Sequence, residues 1–219
     1  MKNILFIILF ITNILPSNEN ELGLFSICRL HYDGGGDWYA NPSSLPNLLK
    51  FIKNNTSIDT NIKENKSKIG DDTFYKNHYF YITGHGNIKF SKKETLILRE
   101  HLLNGAFLHV DDNYGLDKSF RAQVKDLFPD KQLVELPINH PLFSCYYKFK
   151  NGLPKIHEHD NKPPKAFGIF HNEKLILLYT YESDLGDGWE DKNVHNNPEH
   201  IRLEALKMGT NIAIYNLIQ

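Results

Sequence analysis

The sequence is short of the residues and motifs that mark several common protein classes. It has only two cysteines, Cys28 and Cys145, and because both lie among apolar residues we expect free thiols rather than a disulfide. Lys and Arg total 25 against 26 Asp and Glu, a balance that leaves no basic excess for nucleic acid. No strand is followed by Gly-x-Gly-x-x-Gly, and a Walker-type lysine and a Gly-x-Ser-x-Gly elbow are also missing. These absences argue against nucleic-acid binding, nucleotide binding and serine hydrolysis.

The N-terminal segment is typical of a secretory signal peptide. Lys2 precedes an almost wholly apolar run over residues 4–15, and polar residues follow. The run is too short to span a bilayer comfortably. We therefore expect residues 1–20 to be a signal peptide and residues 21–219 to form one exported domain, periplasmic or in the cell envelope. A retained N-terminal anchor is the alternative, and in either case this segment is the expected membrane contact.

Strand and helix patterns alternate along the rest of the chain. Apolar residues at 41% of the composition are enough for a sizeable core. Ser91 and Glu94 have capping-box spacing at the start of one helix, and Asn104-Gly105 is typical of its end. The pattern predicts strands at residues 24–31, 79–83, 106–110 and 132–136, a hairpin over 166–181 and a last helix over 199–217. It also leaves room for a short strand around residues 58–62. This alternation predicts a three-layer α/β sandwich with a mostly parallel sheet and a C-terminal hairpin and helix.

Polar loops follow three of the predicted strands. In an open α/β sheet, ligands bind outside the carboxyl ends of the strands. We therefore expect Asp37, His85, Asp111 and Asp112 to meet at one edge of the sheet, with His85 and the two aspartates of the pair as candidate catalytic residues. Gly84 and Gly86 allow a tight turn whose backbone N–H groups would bind an anion, although a turn that simply requires glycine is the alternative.

A second group of candidate ligands is His157 and His159. Alternate side chains of an extended segment share a face, so both imidazoles are placed to bind one divalent metal ion. Asp160 is placed to orient one of the imidazoles. A third ligand is required and does not stand out in the sequence.

A third candidate is the acidic segment 182–191. Its carboxylates, including Asp184 and Asp187, lack the spacing of a calcium loop, and composition alone favours a solvated turn. Trp189 and Trp38 each lie in a loop of glycine and aspartate. Bulky indoles in polar loops favour a pocket that they line or cover, so both tryptophans join the candidate binding residues.

At these same loops the sequence resembles an uncharacterised bacterial family, the domain-of-unknown-function family 4159. The matching stretches are residues 34–39, 81–86, 111–112, 152–160, 183–191 and 208–212. The resemblance implies a fold like the class I glutamine amidotransferases, a flavodoxin-like sandwich, and no established activity. In that fold a glycine loop forms the oxyanion hole and the next strand ends in a cysteine nucleophile. Here Asp111 and Asp112 stand in place of the cysteine, which argues against amidotransferase activity.

Two functional hypotheses follow. The first is a hydrolase, with or without a metal ion, that acts on a cell-envelope substrate such as a glycan or peptide. The alternative is a binding module without turnover, on a degenerate amidotransferase-like fold, that recognises a small polar molecule or an envelope component. Whether the protein is an enzyme at all stays open at this point, and a purely structural role in the envelope is the third option.

Overall fold

The computed structural model describes residues 23–219, so the predicted signal peptide lies outside the described residues. Seven strands and seven helices follow one another in this part of the chain. In order they are β1 Cys28–His31, α1 Ser44–Asn55, β2 Asn65–Lys68, α2 Asp72–Tyr75, β3 Tyr79–His85, α3 Lys92–Leu103, β4 Phe107–Tyr114, α4 Asp117–Leu127, β5 Val134–Glu135, β6 Lys165–His171, β7 Lys174–Tyr181, α5 Leu185–Trp189, α6 Lys192–His195 and α7 Glu199–Ile218. None of these helices has the length and hydropathy needed to cross a membrane.

The seven strands form one sheet in the order β2-β1-β3-β4-β7-β6-β5. The strands β2, β1, β3, β4 and β7 are parallel to one another, whereas β6 is antiparallel to both β7 and β5. The parallel part follows the doubly wound order of flavodoxin-like sheets, with β7 as the fifth strand. The predicted mostly parallel sheet and the C-terminal hairpin are both confirmed.

Helices cover both faces of the sheet, because alternate residues of each central strand enter opposite cores. In β3, Phe80 and Ile82 pack with α3 and α4, whereas Tyr79 and Tyr81 pack with α1 and α7. Every residue from Tyr79 to Gly84 is buried. A central parallel strand is covered on both faces and therefore has a continuous apolar sequence. The fold is a three-layer α/β sandwich.

The helix ends follow local sequence chemistry. The Ser91 hydroxyl accepts a hydrogen bond from the Glu94 N–H, and the Glu94 carboxylate accepts one from the Ser91 N–H. Gly105, at φ +105°, follows the helix end as expected. Both ends of α3 were therefore predicted correctly.

The irregular segment between β5 and β6 is held by one buried side chain, Asn211 of α7. Its Nδ2 donates to the Leu142 carbonyl at 2.9 Å and the Tyr147 carbonyl at 2.8 Å, and its Oδ1 accepts from the Tyr147 N–H at 2.8 Å. These bonds replace the sheet partners that the segment lacks. The segment reaches the edge of the sheet where its histidines lie.

Two sequence-based predictions of strands need correction. The strand predicted around residues 58–62 is wrong, since only an isolated bridge joins Thr60 to Phe25, and β2 lies at Asn65–Lys68. This edge strand is Asn-Lys-Ser-Lys, in which only Ser67 is buried. A polar edge strand has no apolar pattern to reveal it. The prediction for β1 also began too early, because regular pairing starts at Cys28.

The two cysteines are free thiols, as expected. Cys28 is buried in the sheet and Cys145 is half-buried. Burial raises the pKa of the Cys28 thiol to about 12, so it stays protonated and unreactive.

Candidate metal centre

Three side chains from two loops converge at the carboxyl edge of the sheet. His157 Nδ1, His159 Nε2 and a carboxylate oxygen of Asp184 all lie within 4.8 Å of one another. Asp184 Oδ2 is 3.0 Å from His159 Nε2 and 3.7 Å from His157 Nδ1. Two imidazoles and one carboxylate suit zinc and related divalent ions. This group of residues could hold a metal ion.

Backbone bonds fix the two loops against each other. The Ile156 N–H donates to the Ser183 carbonyl at 2.9 Å, and the Ser183 hydroxyl donates to the Pro154 carbonyl at 2.6 Å. The histidine segment is therefore attached to the residue that precedes Asp184. The positions of both imidazoles depend on this attachment.

The backbone at Asp184 is strained. Asp184 has φ +62° and Glu182 has φ +57°, a left-handed conformation that residues with a Cβ adopt at a cost. Such strain concentrates at functional sites. Asp184 is only 1% exposed, and its Oδ1 has no hydrogen-bond partner within residues 23–219. A buried carboxylate oxygen without a donor is costly unless something else binds it.

Asp187, His195 and Asn41 surround this group. Asp187 Oδ2 lies 3.1 Å from His157 Nδ1 and 3.3 Å from His195 Nδ1. Asp187 Oδ1 accepts a hydrogen bond from Asn41 Nδ2 at 2.9 Å. One carboxylate thus connects two imidazoles to the loop that follows β1. The sequence singled out neither Asn41 nor His195 as a site residue, and the only signal for His195 was its position shortly after the acidic segment.

The charges at the centre act on one another. Hydrogen bonding to Asp184, together with Asp187, raises the pKa of His157 to about 9. Burial and the neighbouring Asp184 charge raise the pKa of Asp187 to about 6. Burial also disfavours the charged form of Asp184, but hydrogen bonds from His157 and His159 outweigh it and lower its pKa. Asp184 is therefore the ionised carboxylate of the pair.

The acidic segment is buried rather than solvated, which corrects the expectation from composition. Its four buried carboxylates each have a polar partner elsewhere: Glu182 with Lys155, Asp184 with His159, Asp187 with Asn41, and Glu190 with Ser43. The segment forms the short helix α5 beside α1 and α7. Buried carboxylates are tolerated only with such partners.

Asp37 and His85 form a separate pair where β1 and β3 end. Asp37 Oδ2 is 3.0 Å from His85 Nδ1, and Asp37 Oδ1 accepts the His85 N–H. The Gly86 N–H donates to the Tyr114 carbonyl. The backbone donors expected to bind an anion are therefore engaged within the fold, and the turn keeps its glycines for packing reasons. A Cβ on Gly84 would collide with the Tyr32 hydroxyl.

Asp111 lies in strand β4 rather than in a loop, and it is fully buried. It accepts hydrogen bonds from the Gly186 N–H at 2.7 Å, the Thr180 hydroxyl at 2.5 Å and the Tyr81 hydroxyl at 3.3 Å. Burial raises the pKa of Asp111 to about 7. Asp111 is thus enclosed by the sheet and α5 and contributes to the packing between them, and the catalytic role expected of it stays a prediction.

Asp112 is 5% exposed on the other face of β4. It accepts hydrogen bonds from the Leu116 N–H at 3.0 Å and the Tyr179 hydroxyl at 3.2 Å. Burial raises its pKa to about 6. A carboxyl group with a pKa in this range exchanges protons near neutral pH, as a general acid or base does.

The remaining candidates lie outside the centre. Trp189 is fully buried and donates from Nε1 to the Ala205 carbonyl, and Trp38 stacks on His31, so packing accounts for the positions of both indoles. Their expected pocket-lining role stays a prediction. Asp160 contacts Tyr114 and Lys162 and neither imidazole, which corrects its expected orienting role.

Comparison with known families identifies the family of this chain. The family model described as a domain of unknown function, DUF4159, matches residues 26–217. The chain belongs to this family. The DUF4159 match extends from just before β1 almost to the end of α7, so the His157, His159 and Asp184 group lies inside the family domain. No curated protein matches the chain.

Proposed function

We propose that this DUF4159 protein binds one divalent transition-metal ion at His157, His159 and Asp184 and acts as a metal-dependent hydrolase. The observation that carries the proposal is Asp184, a buried and strained carboxylate whose Oδ2 lies beside two imidazoles and whose Oδ1 has no partner within residues 23–219. Three protein ligands with one open position are typical of catalytic zinc sites, whereas structural sites use four. His157 is half-exposed, so the centre opens to solvent on that side.

The neighbouring residues have complementary roles in this proposal. A bound ion would lower the pKa of a coordinated water molecule and supply a nucleophile near neutral pH. Asp187 would be the acceptor for the proton of that water molecule, because its Oδ2 lies next to His157 Nδ1 and Asn41 holds its other oxygen. His195 orients Asp187 through its Nδ1.

We further propose that the protein is exported and acts on a cell-envelope substrate. The apolar run at residues 4–15 supports export. The sheet order is compatible with an amidotransferase-like ancestry. In that view Asp111 replaces the nucleophilic cysteine and serves packing, and chemistry moves along the edge of the sheet to the metal centre.

Metal analysis tests the proposal directly. The mature protein, purified without chelator, should contain about one zinc-type ion per chain by mass spectrometry. Asp184→Asn and His157→Ala should lose it, because each removes a ligand. His85→Ala is the matched control, since it breaks a histidine–aspartate pair outside the centre and should retain the ion. Circular dichroism confirms that each variant is folded.

The same samples decide the outcome. A wild-type protein that takes up no zinc, even after reconstitution with zinc sulfate, would refute the metal centre. Retention of a full equivalent by Asp184→Asn would refute the role of Asp184. Hydrolysis of envelope glycans and peptides by the loaded protein, abolished in His157→Ala, would then establish the enzyme.

The second candidate is the binding module without turnover. Four histidines at this edge are paired with carboxylates: His157 and His195 with Asp187, His159 with Asp184, and His85 with Asp37. A surface that only recognises a ligand can also be built from such pairs. Binding of an envelope component without turnover by the metal-loaded protein would favour this candidate.

A further inference from the structure

A cavity of about 290 Å³ lies beside the metal centre and is not explained by the candidate ligands. Its walls come from the end of β4, the start of α4, the histidine loop and the end of β7. The residues that line it are Asp112, Tyr114, Gly115, Asp117, Lys118, Asp160, Lys162, Tyr181 and Glu182. This volume is near the lower limit of small-molecule sites, about 300 Å³, and is suited to one ring-sized group.

The cavity shares a wall with the metal centre. The Tyr114 ring stacks on the His159 imidazole with 5.0 Å between the ring centres, and Tyr114 is 50% exposed. Its hydroxyl donates to Asp160 Oδ1 at 3.3 Å. Glu182 precedes Asp184 by two residues. The cavity and the metal centre are therefore adjacent, with the Tyr114 ring against the His159 imidazole.

The charges around the cavity balance once Arg121 and Lys155, two cations that lie behind its wall, are counted with the lining residues. Asp117 pairs with Arg121 at 2.6 Å, Asp160 with Lys162 at 3.1 Å, and Glu182 with Lys155 at 2.7 Å. The two remaining charged groups, Asp112 and Lys118, have opposite signs. A phosphate or an amine would gain little net attraction here, because each cation of the wall has a carboxylate counterpart. The balance favours an uncharged polar ligand.

The cavity wall contains both hydrogen-bond donors and acceptors. Lys162 Nζ contacts Asp160 and the Tyr181 hydroxyl, both at 3.1 Å, and an ammonium group has three protons to donate. Within residues 23–219, Asp117 Oδ2 and Glu182 Oε1 make no hydrogen bond, although their partner oxygens do. A hydroxyl group both donates and accepts, so adjacent hydroxyls match such a wall. The exposed part of the Tyr114 ring adds an apolar surface for the C–H face of a ring.

We propose that this cavity binds one uncharged sugar residue of a saccharide substrate and positions the next linkage at the metal centre. The inference rests on the proposed hydrolase for its catalytic meaning. The binding itself depends only on the cavity wall. Saccharide recognition and metal loading can therefore be measured separately.

Titration of the mature full chain with neutral sugars tests the inference. Tri-N-acetylchitotriose and maltotriose are the saccharide probes, with inorganic phosphate and trialanine for comparison, each by calorimetry with and without one equivalent of zinc. At least one saccharide should bind saturably in both conditions. Lys162→Ala should weaken it by about tenfold or more, because it removes a charged donor. Lys92→Ala, at a separate surface cavity, is the matched control and should change nothing.

The outcomes separate the two proposals. Failure of both saccharides to bind, equal binding by Lys162→Ala, or binding of phosphate or trialanine in preference would overturn the inference. Zinc content is measured in the same samples, and Lys162→Ala should retain the ion because Lys162 contacts no ligand residue. Loss of zinc binding with retained sugar binding would refute the hydrolase and leave the sugar site intact.

Tyr181→Phe removes one cavity hydroxyl and keeps the ring. It should weaken binding of the same saccharide less than Lys162→Ala does.

Discussion

A buried histidine in the central strand gives a prediction about acid sensitivity. His109 is fully buried in β4, with its Nε2 3.0 Å from the Thr180 hydroxyl oxygen. The Thr180 proton is directed to Asp111 at 2.5 Å, so His109 must donate from Nε2. Its Nδ1 has no partner anywhere in the described chain. A second proton on this ring would have nowhere to donate, and the imidazole is neutral in the folded protein.

The expected magnitude follows from the pKa of His109. Burial lowers this pKa from 6.5 to about 3. Below about pH 6.5 His109 binds a proton in the unfolded chain but not in the folded protein, so stability is lost as the pH falls towards about 3. Each pH unit in this window costs about 1.4 kcal/mol, which gives about 2 kcal/mol at about pH 5. Asp111 acts in the opposite direction, because its raised pKa favours the fold on acidification from about 7.

Comparison of two variants isolates the contribution of His109 to the pH dependence of stability. His109→Gln keeps an N–H donor for Thr180 and does not titrate, so its free energy of unfolding relative to wild type should improve by about 2 kcal/mol from pH 7 to about 5. Urea denaturation at both pH values measures this difference, and the contributions of Asp111 and Asp112 cancel in it. His200→Gln, the same change at an exposed position, should show no such improvement. A wild-type to His109→Gln difference that is constant with pH would refute the reasoning.

Two further substitutions test how the site is supported. Asn211→Ala leaves the Leu142 and Tyr147 carbonyls and the Tyr147 N–H without their partner, and it should lower the free energy of unfolding by about 2–4 kcal/mol in urea. An unchanged midpoint would mean that α7 does not hold the irregular segment. Gly84→Ala places a methyl group against the Tyr32 hydroxyl at φ +141°, and it should lower the melting temperature through a loss of at least about 1–3 kcal/mol. A melting temperature equal to that of wild type would show that the turn relaxes freely.

Local chemistry made much of the fold predictable. The capping box at Ser91, the apolar run of β3 and the β6–β7 hairpin each depend on residues close in sequence. Strand β2 was missed because an exposed edge strand needs no apolar residues. The signal for a helix or a strand is periodic burial, and it is weakest where one side of the element faces water.

The candidate site was predictable only in part. Alternation placed His157 and His159 on one face. The third ligand, Asp184, lies 25 residues after His159 in the sequence. The left-handed backbone of Asp184 directs its side chain inward, and no periodic pattern in the sequence reveals such a conformation. Asp111 and Trp189 were assigned to loops because polar and glycine residues surround them. Tertiary packing buries both, Asp111 beneath α5 and Trp189 against α7.

The position of β7 in the sheet has a consequence for how the protein is made. β7 pairs with β4, and the Thr180 to Asp111 contact joins residues 69 apart. In the growing chain β4 pairs with β3 on one side only, and its other side stays without a partner until β7, which begins about 60 residues after β4 ends, has been made. Contacts of such long sequence separation form slowly. Newly made chains should therefore depend on holding chaperones, and truncations that end before β7 should aggregate rather than fold in part.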